Sequence, residues 1–340
     1  MNSILLATSY NGISIFQPLY WLFGKCMALL LAAVGNKYFL ALFIFTVLTR
    51  LVLLPINIRQ QKTMSKTQRL QPKIQKIQKK YPDPKDRQKL NEEMQELYAR
   101  EGHNPMNMGC GPMAFQMVFL MGIIGAVYYP LSYVLSIDGF SGETVNAVAD
   151  FLKSFYDSDR VRYLNLEIIQ HIGDTSFASA LSEKFPNVFT ADAIARIQQY
   201  AESMKLHIFG HTFDMSLTPS FKKGTDGFEL IAVSIVVLLT SLATSLVSTL
   251  IQKRNNPAAS QQNGQMMMMM LMMPFFSFYI SFQVPAAVGY YWIISNLIAI
   301  AQQLFIYKFF PPKRSQARLM VESTIERRSR EESIKKAKSR

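Results

Sequence analysis

Charge is what this 340-residue chain has least of: 17% of its residues are Asp, Glu, Lys or Arg, against about 25% in soluble domains. Acids are the scarcer half, 23 against 36 Lys and Arg, for a formal net charge of +13. Two cysteines, Cys26 and Cys110, exclude a disulfide framework and a four-thiolate zinc site, and histidine is sparse at four. No cofactor or metal is expected. What is abundant is apolar: 49% of the chain, with 24 Phe, 15 Tyr and 19 Met, which excludes a disordered polypeptide. So little charge with so strong a basic excess suits a membrane protein with basic flanks better than a water-soluble enzyme.

The charge-free runs mark the spans. Tyr38–Pro55 is apolar apart from Thr46, Thr49 and Arg50; Asn104–Ile137 and Leu230–Gln252 carry no charge. Asn255–Tyr307, 53 residues without charge, is long enough for two spans of about 20 residues each, divided at Gln283-Val284-Pro285. The expected fold is therefore an all-α membrane protein of five transmembrane helices around a hydrophilic groove, with a cytoplasmic helical hairpin and an N-terminal interfacial helix. Its parts are the interfacial helix (1–36), span one (37–58), the hairpin (59–104), span two (105–137) and an extracytoplasmic helical segment (138–228). Span three (229–252), a cytoplasmic loop (253–265), span four (266–283), span five (284–307) and a basic tail (308–340) follow.

Residues 1–36 do not read as a targeting peptide, because no Lys or Arg precedes Lys25; Ile13–Val34 mixes aromatic and polar residues as an interfacial helix does. Arg59–Pro105 holds twelve basic residues, and Tyr307–Arg340 eleven against four Glu, whereas Asp138–Gly227 has eight basic and twelve acidic. Positive-inside reasoning puts the first two in the cytoplasm and the third outside, so the N-terminus is outside and the C-terminus cytoplasmic. Within the hairpin, Ile74, Ile77, Leu90, Met94 and Leu97 recur at helical spacing on either side of Tyr81-Pro82-Asp83-Pro84. Two further helices are predicted around Val145–Phe155 and Ala191–Met204 of the external segment. His171, His207 and His211 lack metal-site spacing.

Arg50 is the most informative residue. A guanidinium near the middle of a span costs about 2.5–3.5 kcal/mol on insertion scales; spans one to five offer no Asp or Glu beside it, apart from Glu229 at the edge of span three. Water or a visiting anion is the expected company, or else the side chain snorkels to the surface. Thr46, Arg50 and Asn57 share one helix face. Span three sets Ser241, Thr244, Ser245, Ser248 and Gln252 at i, i+3, i+4, i+7 and i+11, and span five repeats the intervals with Trp292, Ser295, Asn296, Ala299 and Gln303. Span two adds Gln116 after Gly109-Cys110-Gly111-Pro112. Hydroxyls in membrane helices serve close packing as readily as a wet site, whereas Arg, Asn and Gln carry donors that lipid leaves unsatisfied. The candidate groove is Arg50, Gln116, Trp292, Asn296, Thr46, Ser241, Thr244, Ser245 and Gln303. Met266, Met269, Met270 and Met273, with Phe275 and Phe276, form a candidate hydrophobic slide. Thioether sulfur can hold copper(I), but an unbroken Met run covers every helix face, which suits an adaptable apolar surface.

Three motifs in order resemble the YidC/Oxa/Alb family of membrane-protein insertases: Phe45–Pro55 (FTVLTRLVLLP), Asn104–Met117 (NPMNMGCGPMAFQM) and Val284–Gln303 (VPAAVGYYWIISNLIAIAQQ). The likeness extends over Ile15–Phe310 and is to the shorter Gram-positive form. It departs at Val118, where the family often has Pro, and in the long Asp138–Gly227 segment. The resemblance implies a non-enzymatic insertase and chaperone in the bacterial plasma membrane. Its hydrated groove would receive nascent membrane proteins and release them into the lipid bilayer, with Arg50 attracting a polar or acidic tail. It also implies contact of the basic hairpin and tail with the ribosome, the signal recognition particle receptor or a secretion channel. The rival reading is an anion or solute channel using the Arg50 cavity, although no internal repeat supports it.

Overall fold

The computed structural model describes residues 14–100, 110–156, 163–208, 210–221, 226–255 and 264–311, with seven more positions in the tail (317, 321, 324, 325, 328, 329 and 331). Asn104–Gly109 and most of the basic tail lie outside them. The chain divides into two compact units: Met1–Thr49, Gln116–Leu242 and Met272–Leu297 form the first, and Arg50–Phe115, Ala243–Leu271 and Ile298–Arg340 the second.

The first unit begins with a 3₁₀ turn (Ser14–Phe16) and α1 (Gln17–Ala33), which Pro18 starts from the first turn. Tyr20, Phe23, Gly24, Met27 and Leu31 share its buried face, while Trp21, Leu22 and Leu29 are exposed. The helix stops where Gly35 and Asn36 turn left-handed (φ 66° and 59°) and the Asn36 amide donates back to the Leu31 carbonyl at 2.8 Å. α2 (Tyr38–Lys80) then runs 43 residues without a break, about 65 Å at 1.5 Å per residue. Span one and the first arm of the hairpin are thus one helix. It ends because Pro82 disfavours helix at Tyr81; Asp83 is extended and Pro84–Asp86 form a 3₁₀ turn before α3 (Arg87–Arg100). In the second unit an ion pair from Lys80 to Glu93 ties the two arms.

α4 (Cys110–Tyr128) and α5 (Pro130–Tyr133) follow. Two close approaches draw them to α1: an added Cβ at Gly24 would lie 2.5 Å from the Tyr133 carbonyl oxygen, and one at Gly122 would lie 2.9 Å from the Phe23 ring. The segment that follows α5 is a small folded body built of α6 (Glu143–Phe155), α7 (Leu164–His171), α8 (Thr175–Lys184), α9 (Ala191–Ser203), and a hairpin of β1 (Lys205–Ile208) and β2 (His211–Asp214). The hairpin is an addition to the expected all-helical cap. Gly210 (φ 80°) makes its turn, and His207 and Thr212, paired across the strands, meet at 2.9 Å. Val148, Leu166, Ile168, Phe177, Leu181, Phe189 and Ile197 fill its core, which is continuous with residues of α1, α4 and α5.

α10 (Asp226–Glu229), α11 (Ile231–Asn255), α12 (Gly264–Ser281) and α13 (Ala286–Phe309) complete the chain. Among the described residues three helices are long and apolar enough to cross a membrane: Tyr38–Gln60, Gly227–Ile251 and Ala286–Phe309, with mean hydropathies of 2.4, 2.5 and 1.2. Val118–Tyr128 and Met272–Ser281 are shorter apolar helices. The protein is mostly helical and built for a membrane.

Candidate functional site

α11 and α13 are held side by side by small residues and amides. Gly289 lets them approach, since an added Cβ would lie 3.0 Å from Val233 and 3.6 Å from Val237. One level on, the Asn296 amide donates to the Ser241 hydroxyl at 2.9 Å and to that of Thr240 at 3.3 Å. Residue numbers rise together along both helices, so the two run parallel. In the second unit Gln303 accepts from the Ser248 hydroxyl at 3.0 Å, seven residues further along each helix. Two amides that lipid would leave unsatisfied are thus bonded to hydroxyls of the neighbouring helix.

The other candidates stand in different surroundings. Thr46 is fully buried and spends its hydroxyl on the Leu42 carbonyl, 2.6 Å away, in the helix face that sets Phe45 edge-on against Phe23. Arg50 is half-buried in α2. Thr244 and Ser245 are half-buried on α11, where the Ser245 carbonyl accepts from Thr249 at 2.8 Å. Trp292 is half-buried and packs on the hydrophobic core. Gln116 lies in α4, and Met266, Met269 and Met270 lie in α12, but their side chains are outside the described residues. Met273, Phe275 and Phe276 are more than half exposed, at 54%, 56% and 55%, an apolar surface for lipid or an apolar chain. The structure therefore brings together Ser241 with Asn296, and Ser248 with Gln303. Thr240 escaped the sequence analysis because it sits one position off the stripe, where spacing carries no signal.

Outside the spans two carboxyls are shifted by local hydrogen bonds. The Ser176 hydroxyl and amide hold the Asp174 carboxyl below the usual carboxylate range, and Lys205 does the same for Glu202.

Apolar helices joined through half-buried amides, with a guanidinium partway along one of them, define a helical membrane protein that carries polar groups within its spans. The sequence model of the 60Kd inner membrane protein family matches residues 29–314, and the chain belongs to that family, which is the YidC/Oxa/Alb family of the three motifs. It is similar to the membrane protein insertase YidC of Clostridium perfringens, 37% identical over 141 residues that cover 42% of this chain and 55% of the relative. The insertase YidC of Oceanobacillus iheyensis is 38% identical over 35% of this chain and 45% of its own. The insertase MisCA of Bacillus subtilis is 39% identical over 27% and 36%. The matched stretches thus span about half or less of these curated relatives.

Proposed function

We propose that the protein is a membrane protein insertase. The observation that carries this is Arg50, the one charged residue between Tyr38 and Ile58, set in a 23-residue apolar stretch of mean hydropathy 2.4. A cation there costs about 2.5–3.5 kcal/mol to insert, and function is the reason to carry it. In this reading Arg50, Gln116, Trp292, Asn296, Thr46, Ser241, Thr244, Ser245 and Gln303 line or brace a hydrated groove. A client's acidic tail is drawn toward Arg50, whose charge is weakly screened away from bulk water. The client's apolar helix meanwhile moves along the Met- and Phe-rich face of α12, and its transfer into hydrocarbon drives the tail across. No covalent chemistry is required, in keeping with relatives named for insertion. The basic hairpin and tail receive the nascent chain, through ribosomal RNA phosphates or anionic lipid.

Five spans with the N-terminus outside go with this reading. The parallel pairing of α11 and α13 supports it: two parallel membrane helices need a return crossing between them. α12, an uncharged helix of 18 residues or about 27 Å, is the element available for it.

The test is reconstitution in liposomes with a single-spanning client bearing an acidic tail. Arg50→Ala is expected to lower insertion about tenfold, the effect of roughly 1.4 kcal/mol, whereas Arg50→Lys keeps most of it. Wild-type insertion by Arg50→Ala would remove the electrostatic step. Uptake of small anions without any insertion would favour the channel instead.

A further inference from the structure

We propose that the cavity between α1 and α9 binds the phosphate headgroup of an anionic phospholipid, a role separate from client insertion that stands whether or not insertion is found. The cavity has a volume of about 240 Å³. Ala28, Leu31 and Ala32 of α1 give it an apolar wall, while Arg196 and Tyr200 of α9, and Asn36 from the turn after α1, give it a polar one.

Two features select the ligand. Among the described lining residues the charged group is a cation: Arg196, held by a 2.6 Å bond from its guanidinium to the Leu135 carbonyl, which leaves further N–H donors on the fork for an anion. The depth is also right. Asn36 stands two residues before Tyr38, where the first membrane-spanning helix begins, and that boundary is the headgroup layer. The small side chains of α1 leave room for the glycerol and first methylenes, and Leu29, 71% exposed on the same helix, faces the surroundings as a lipid-contacting residue does.

The test uses the full chain in mixed phosphatidylglycerol–phosphatidylcholine vesicles, extracted in mild detergent and weighed by native mass spectrometry. Wild type is expected to keep phosphatidylglycerol over phosphatidylcholine. Arg196→Gln is expected to reduce the retained fraction about tenfold, and Arg196→Lys to restore part of it. Ala28→Leu, which fills the apolar wall and leaves Arg196 in place, is expected to reduce it as well, so the test survives if Arg196→Gln fails to fold. Equal retention by wild type and Ala28→Leu, or no preference between the two lipids, overturns the proposal. So does inorganic phosphate protecting the lipid-free protein from heat as well as phosphatidylglycerol does, because the site then reads phosphate alone.

Discussion

Asn296 and Thr46 carry different work, although both lie on polar stripes of membrane helices. Asn296 bridges to a second helix through Ser241 and Thr240, so truncation removes an interhelical bond. Asn296→Ala is expected to destabilise the protein by about 1 kcal/mol, read as a lower melting temperature in detergent. Among the described residues Thr46 bonds to its own helix, and Thr46→Val conserves its shape. That substitution is expected to change insertion by less than about twofold, and a larger loss would show that the hydroxyl serves the client. Sequence spacing ranked these two residues together, because periodicity tells which face a side chain occupies and not what stands opposite it. Arg50 was legible for another reason: a charge inside an apolar run is conspicuous wherever its partners are.

Among the elements, the long and strongly patterned ones were readable and the short ones were not. The break after Lys80 follows from Pro82, and the division between α12 and α13 from Pro285, both local steric effects. α7 and α8, of 8 and 10 residues, are too short to show a period, and β1 and β2 hold four residues each. Their placement depends on tertiary bonds that no local pattern announces. Asn165, fully buried in α7, accepts from the amides of Leu131 at 3.0 Å and Ser132 at 3.3 Å, capping α5 from a distance of more than thirty residues in sequence. Asn165→Leu removes this shared acceptor and is expected to cost about 2 kcal/mol or more, measured by thermal unfolding. α8 is capped locally by Asp174, whose Oδ1 accepts from the Ser176 amide at 2.9 Å. Because this carboxyl titrates below its unfolded value, its stabilisation is complete above the ordinary aspartate pKa of about 3.9 and fades as pH falls through the lowered one. Hydrogen-exchange protection of α8, taken relative to the intrinsic rate at each pH, is expected to fall below about pH 4, and Asp174→Asn is expected to flatten that dependence.

For the whole molecule, orientation is the expectation most easily checked. In a background with Cys26→Ser and Cys110→Ser, a cysteine replacing Ser182 is expected to react with an impermeant maleimide from outside intact cells. One replacing Ser339 is expected to react only after lysis; the reverse pattern would invert the positive-inside reading. The folded body of α6–α9 and the hairpin is also what most sets this chain apart from a bare bundle of spans. It is not a loosely tethered loop: the Ala286 amide donates to the Leu217 carbonyl at 2.8 Å, the Ala287 amide to Met215 at 3.0 Å, and the Tyr163 hydroxyl to Gln283 at 3.2 Å. The first turn of α13, whose amides have no acceptor within the helix, is thereby sewn to the segment that follows β2. A helix pinned at one end can swing only from the other, so in the proposed insertase a gap that admits a passenger would open away from that seam, with its way out sideways into lipid.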